Sequence, residues 1–138
     1  LHVGRGTFSP IQSDDAARHT MLPERYEVEP SEAGLIIGAR ARGGRIVSVG
    51  TTTTRALETL AARPGGFGAG DGESSLYITP GYRFRAIDAL ITNFHLPRST
   101  PLLLASAFAG RETLLNAYRE AVLRSYRLYC FGDATLLL

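Results

Sequence analysis

RIVSVGTTTTRALETLAAR, residues 45–63, changes its period part-way along, and that change decides the fold. Arg45 to Gly50 is a short β-branched run that reads as a buried strand. Beyond it Leu57, Leu60 and Ala61 recur at helical spacing. The unit is strand, Gly-Thr turn, helix. Just upstream, SEAGLIIGARARGG from Ser31 predicts a helix with Leu35, Ile36 and Ala39 on its apolar face and Gly43-Gly44 as its stop. Two helix and strand units within about 35 residues predict an α/β layer with a largely parallel sheet and flanking helices.

Downstream, RPGGFGAGDGES, residues 63–74, is dense in glycine and predicts a loop, because ordering so many glycines carries a heavy entropic cost. Leu76 to Ile78 and Ala86 to Thr92 read as strands separated by the turn Pro80-Gly81, and so as pairing neighbours. Ser99 or Thr100 caps a following helix with Pro101 in its first turn and Gly110 at its end. Glu112 to Arg124 predicts another helix with Leu114, Leu115, Tyr118, Ala121 and Val122 on its apolar face. Tyr126 to Phe131 predicts a last strand before Gly132-Asp133.

The chain has 138 residues, 44% hydrophobic and 20% charged, which suits one globular domain with a sizeable core. No apolar run approaches the roughly 18 to 20 residues that span a bilayer, so a cytoplasmic protein without membrane contact is expected. With Cys130 as the single cysteine and histidines only at 2, 19 and 95, neither an internal disulfide nor a zinc-ligand pattern can be written, and no metal is expected. All 15 basic residues are arginine, which excludes a Walker-A lysine and a Schiff-base lysine from this segment. The net charge of +2 permits a nucleic-acid partner without requiring one. The opening residues LHVGRGTF lack a methionine and read as the inside of a motif, so a fragment is expected.

Several constellations carry candidate chemistry. Gly50-Thr51-Thr52 after a strand directs amides and hydroxyls above the sheet edge, at the positive end of a helix. It is either an anion or ribose site or an ordinary capped turn. Arg55 and Glu58 share a face near the helix start and read as binding residues or as an exposed ion pair. NFHLPRST, residues 93–100, stands at the carboxyl end of a strand, the edge at which open α/β sheets bind ligands. His95 there is a candidate base, since an unperturbed imidazole titrates near about 6.5, or a structural histidine. His2 precedes Gly4 and Gly6, which favour close backbone approach. Asp133 after the last predicted strand is a base, a hydroxyl binder or a turn former.

Taken together, HVGRGTF (2–8), ARGGRIVSVGTTTTRALE (41–58), YITPGYRF (77–84), DALITNFHLPRST (88–100), SAFAGRE (106–112), NAYREAV (116–122) and YRLYCFGDA (126–134) resemble the S-adenosylmethionine:tRNA ribosyltransferase-isomerases in order and spacing. The resemblance covers nearly the whole chain. It implies the carboxy-terminal part of an α/β catalytic domain that, in the family, is interrupted by a small β-barrel domain, with the amino-terminal part and the barrel absent from residues 1–138. It further implies transfer and isomerisation of the ribosyl moiety of S-adenosylmethionine onto 7-aminomethyl-7-deazaguanine in tRNA, giving epoxyqueuosine-tRNA with release of adenine and methionine. S-adenosylmethionine is then a co-substrate, and no cofactor is expected. On this reading His95, His2 and Asp133 are candidates for the base. Gly50, Thr51, Thr52, Arg55, Glu58, Asn93, Phe94 and Ser99 are the expected substrate-binding set. The sequence departs from the family at Leu22-Pro23, where a His-Ser pair is usual, in its TTTTR turn, where TTSVR is usual, and at Pro101, where leucine is common. The departure at Leu22-Pro23 motivates a second reading: a divergent member that binds a nucleotide-like ligand or RNA without this reaction, or acts on another acceptor.

Overall fold

The computed structural model describes residues 1–4, 10–12, 15–129 and 132–138. The strand–turn–helix unit forms as the change of period predicts. β1 (Glu24–Val28) and α1 (Pro30–Ala41) lead into β2 (Val47–Val49) and α2 (Thr51–Ala61). Gly50 caps α2 at φ 90°, a left-handed conformation in which a side chain would be strained, although nothing would collide with one there. Its N–H donates to the carbonyl of Ile91 at 2.8 Å, which ties the turn to the neighbouring strand. α1 stops at the predicted glycines. Gly43 takes φ 75°, and the N–H groups of Gly43 and Gly44 donate to the carbonyls of Arg40 and Ala39, both at 2.9 Å, which satisfies the last turn.

The rest of the chain adds β3 (Gly70–Ser74), β4 (Ala89–Asn93), α3 (Thr100–Ala109), α4 (Arg111–Leu123) and β5 (Ala134–Leu137). The main sheet has the order β2-β4-β5 and a separate two-stranded sheet pairs β1 with β3. The α/β class therefore holds, while parallel pairing narrows to β2 with β4. The β4–β5 and β1–β3 pairs are antiparallel.

Ser48, Leu90 and Leu137 stand in register on one face of the main sheet, where Leu90 meets Ile46, Leu57, Ile78, Ile87 and Leu104 in the core. The alternate row Val49, Ile91 and Leu136 lies on the other face, with Val49 and Leu136 exposed. One side of the sheet is thus a core and the other an apolar surface.

Four sequence expectations are corrected. Residues 63–74 are not loop throughout, because β3 pairs along its whole length with β1, from Glu24↔Ser74 to Val28↔Gly70. A Cβ at Gly70 would collide with the guanidinium of Arg63, so glycine here makes room for a side chain that bonds the Tyr26 hydroxyl and the Asp71 carbonyl, each at 2.7 Å. Leu76 to Ile78 is not a strand and does not pair with β4. Ile78 instead enters the core, and the carbonyl of Leu76 accepts from Arg55 at 2.8 Å. Tyr126 to Tyr129 is not a strand, since Tyr129 takes φ 67°. Cys130 and Phe131, the end of that predicted strand, lie outside the described residues, and the last strand is β5. Finally, Leu35 and Val122 are exposed rather than core-facing, whereas Ala33, Leu114 and Ala121 are buried.

Candidate functional site

The parallel pair β2–β4 brings two strand ends to one edge, and each strand end runs into the start of a helix. Gly50 opens α2 after β2, and Ser99 opens α3 after the loop that follows β4. Between them lies a cleft of about 340 Å³. Gly50, Thr51, Thr52, Thr53, Asn93, His95 and Ser99 line its polar side, and Leu1, Val3, Pro10, Leu96, Pro97 and Tyr129 supply apolar wall. Of residues 50–55 the first four reach this cleft, and of residues 93–99 all but Phe94 and Arg98 do.

No side chain caps α2, and the N–H groups of Thr51, Thr52 and Thr53 have no hydrogen-bond partner among the described residues. They open toward the cleft at the positive end of the helix. Deeper in the turn, Thr54 is fully buried, with its hydroxyl 2.9 Å from Ser48 Oγ and donating to the Gly50 carbonyl at 3.0 Å. Ser99 caps α3, accepting from the Leu102 N–H at 3.4 Å while its own hydroxyl donates to the Leu96 carbonyl at 2.6 Å.

His95 is held from two sides. Its backbone N–H donates to the Tyr118 hydroxyl at 2.9 Å, and its Nε2 lies 2.8 Å from the Thr92 hydroxyl. Burial pushes its pKa down from 6.5 to about 4, so the ring is neutral at physiological pH. Phe94, expected to bind substrate, points the other way: it is buried, with its ring 5.0 Å from that of Tyr118 and 5.9 Å from that of Tyr126.

Arg55 and Glu58 do not line the cleft, nor do they pair with each other. Arg55 is 5% exposed and donates to Glu24 Oε2 at 2.7 Å and to the carbonyls of Leu76 and Ser74, each at 2.8 Å. Burial lowers its pKa, opposed by the charge of Glu24. Glu58 is fully buried and accepts from the N–H groups of Arg85 and Ala86 and from the Tyr82 hydroxyl. Its charge and burial together push the Tyr82 hydroxyl up to about 12, burial being the larger cause. These two residues serve the fold.

The other two candidate bases also lie elsewhere. His2 is exposed and forms an isolated bridge to Arg25, with its N–H 2.9 Å from that carbonyl, while Leu1 and Val3 on either side line the cleft. Gly6 of the same motif lies outside the described residues. Asp133 closes a turn: Oδ2 accepts from the Arg127 N–H at 2.8 Å, and its own N–H returns to the Arg127 carbonyl at 2.9 Å. Leu22 and Pro23, the departure from the family pattern, are exposed and do not line the cleft.

Sequence reasoning passed over Thr53, Thr92 and Tyr129. Thr53 extends the threonine run already singled out, and Thr92 precedes Asn93 at the same strand end. Tyr129 reaches the cleft through a contact that no local pattern announces: its N–H donates to the Phe94 carbonyl at 3.1 Å, and its carbonyl accepts from Asn93 Nδ2 at 3.2 Å.

Comparison with known proteins places this geometry in a family. Residues 1–137 match the family model described as queuosine biosynthesis protein. The chain is 58% identical over 138 residues to an S-adenosylmethionine:tRNA ribosyltransferase-isomerase of Moorella thermoacetica, and 56% identical over 137 residues to one of Ralstonia nicotianae. Those alignments cover 100% and 99% of this chain but only 40% and 38% of the relatives. The crystal structure of S-adenosylmethionine tRNA ribosyltransferase from Thermotoga maritima superposes with a TM-score of 0.78 at 49% identity, over 83% of this chain and 40% of that one. With residues 1–137 of its 138 matched by the family model, the chain belongs to the queuosine biosynthesis protein family.

Proposed function

We propose that this chain carries the S-adenosylmethionine cleft of a tRNA ribosyltransferase-isomerase. In the reaction the ribosyl moiety of S-adenosylmethionine is transferred and isomerised onto 7-aminomethyl-7-deazaguanine at the tRNA wobble position. Epoxyqueuosine-tRNA forms, and adenine and methionine leave. The observation that supports this reading most is the meeting of the bare amino end of α2 with a neutral imidazole in one cleft.

Each part has a chemical use. The amides and hydroxyls of Thr51 and Thr52, joined by Asn93 and Ser99, suit a carboxylate or ribose hydroxyls. The apolar wall of Leu96, Pro97 and Tyr129 suits the flat face of a base. His95 is the only one of the three histidine and aspartate candidates that lines the cleft, and direct contact with the reacting ribosyl group falls to it. Arg55 and Glu58 drop out of the substrate-binding set because their hydrogen-bonding capacity is already spent inside the domain.

The chain spans about 40% of the length of its relatives, so activity is measured on the full natural polypeptide. With S-adenosylmethionine and acceptor tRNA, His95→Ala is expected to lower adenine release by about 10²- to 10⁴-fold without loss of folding. Unchanged release and unchanged S-adenosylmethionine binding would make His95 a structural residue.

A further inference from the structure

The hydrogen bond between Thr92 and His95 determines which ring nitrogen meets the ligand. Thr92 sits at 5% exposure near the end of β4, with its backbone carbonyl accepting from the Thr135 hydroxyl at 3.0 Å. Its own hydroxyl has one hydrogen-bond partner among the described residues, His95 Nε2 at 2.8 Å. Nδ1 of His95 has none. No buried side-chain nitrogen or oxygen among the described residues lacks a partner, so Nδ1 is solvent-accessible, and His95 lines the cleft.

Counting hydrogens separates the two neutral tautomers. If the ring proton is on Nε2, it points at Thr92 Oγ1 and the hydrogen of the nearly buried Thr92 hydroxyl has no acceptor among the described residues. If the proton is on Nδ1, the Thr92 hydroxyl donates to Nε2 and the Nδ1–H meets water or ligand in the cleft. The second arrangement satisfies every group, and a buried unsatisfied donor is costly. Turning the ring over about χ2 would bring a carbon opposite Thr92 Oγ1 and forfeit the 2.8 Å bond, while the backbone that carries the ring is anchored by the His95 N–H on Tyr118, whose ring packs on Phe94.

We propose that Thr92 is a positioning residue: its hydroxyl donates to Nε2, fixes the ring proton on Nδ1, and makes His95 a hydrogen-bond donor toward the ligand in the cleft. This deepens the reading of the cleft as an S-adenosylmethionine site and rests on it for the identity of the acceptor, a ribose oxygen or an adenine nitrogen. It gives the neutral ring the role of a hydrogen-bond donor that steadies negative charge developing on that acceptor, with the proton staying on Nδ1.

The test is two-bond ¹H–¹⁵N correlation on the full natural polypeptide with ¹⁵N-labelled histidine, read beside adenine release. The wild-type His95 ring is expected to show a protonated Nδ1 and an unprotonated Nε2. Thr92→Val should remove that bias and lower turnover by about 10- to 10³-fold with S-adenosylmethionine KM changed less than about threefold. Thr92→Ser, which keeps the hydroxyl, should restore both. A wild-type ring protonated on Nε2 overturns the proposal, and so does a folded Thr92→Val with unchanged tautomer and turnover. Should Thr92→Val not fold, the wild-type spectrum alone decides. A protonated Nδ1 in a protein that releases no adenine would uphold the Thr92 assignment and reject the ribosyltransferase reading.

Discussion

The nine residues Gly50 to Glu58 divide at Thr54 into two polar regions of opposite character. Before that point the amides of Thr51 to Thr53 have no partner among the described residues, and these residues line the cleft. From it onward Thr54, Arg55 and Glu58 are buried and their side chains are hydrogen-bonded within the domain. Both halves lie in the continuous stretch 41–58 that carries the resemblance to the family. On the proposed reading, a binding group in it differs from a structural one by whether its hydrogen-bonding capacity is already used, not by membership of the stretch.

Substitution on either side of the division should therefore fail in different ways. The largest stability effect belongs to Arg55→Ala, which removes a buried cation bonded to Glu24 and to the carbonyls of Leu76 and Ser74 and should cost about 3 to 5 kcal/mol in denaturant unfolding. A well-folded Arg55→Ala that fails only to bind S-adenosylmethionine would return Arg55 to the cleft and blur the comparison.

On the cleft side the corresponding lever is pH. The folded pKa of His95 lies below its unfolded value, so between pH of about 6.5 and 4 the unfolded chain binds a proton that the native ring refuses. Stability from this group is present above that window and lost as pH falls through it, by about 3 kcal/mol at most. The unfolding free energy of wild type should fall more steeply across the window than that of His95→Gln, and parallel curves would place His95 in a solvated setting.

Glu58→Gln should cost about 1 to 3 kcal/mol, because one charged acceptor oxygen is replaced by an amide NH₂ that opposes the Arg85 N–H. Its S-adenosylmethionine affinity, corrected for folded fraction, should not change. Thr52→Val gives the smallest and most local effect. It removes a cleft hydroxyl with no partner in the domain, so affinity should fall by up to about tenfold while thermal stability stays level. Loss of stability instead would place Thr52 with the structural half.

The same division explains what could be read from the sequence. Gly50, Thr51, Asn93 and His95 were legible because the rule that places them is local: an apolar strand ends, a helix begins, and the turn between faces the sheet edge. The burial of Arg55 and Glu58 was not legible because their partners are distant, Glu24 lying 31 residues away and Ala86 lying 28. A spacing of three on a helix says that two side chains share a face, but not that the face is buried. β3 escaped for a related reason. Gly70 and Gly72 carry no strand propensity, and the strand exists through its pairing with β1 and the seat it gives Arg63. The aromatic run from Tyr126 misled in the opposite direction, since a left-handed Tyr129 folds it across the cleft instead of along the sheet.

The most direct test of the division is hydrogen–deuterium exchange of the full natural polypeptide with and without S-adenosylmethionine. Ligand should slow exchange at the amides of Thr51 to Thr53 and of Asn93 and Leu96, in residues that line the cleft. It should leave Arg85 and Ala86, whose amides already donate to Glu58, unchanged. Protection that appears around residues 85–86 with none at 51–53 would contradict the placement of the binding site at this edge.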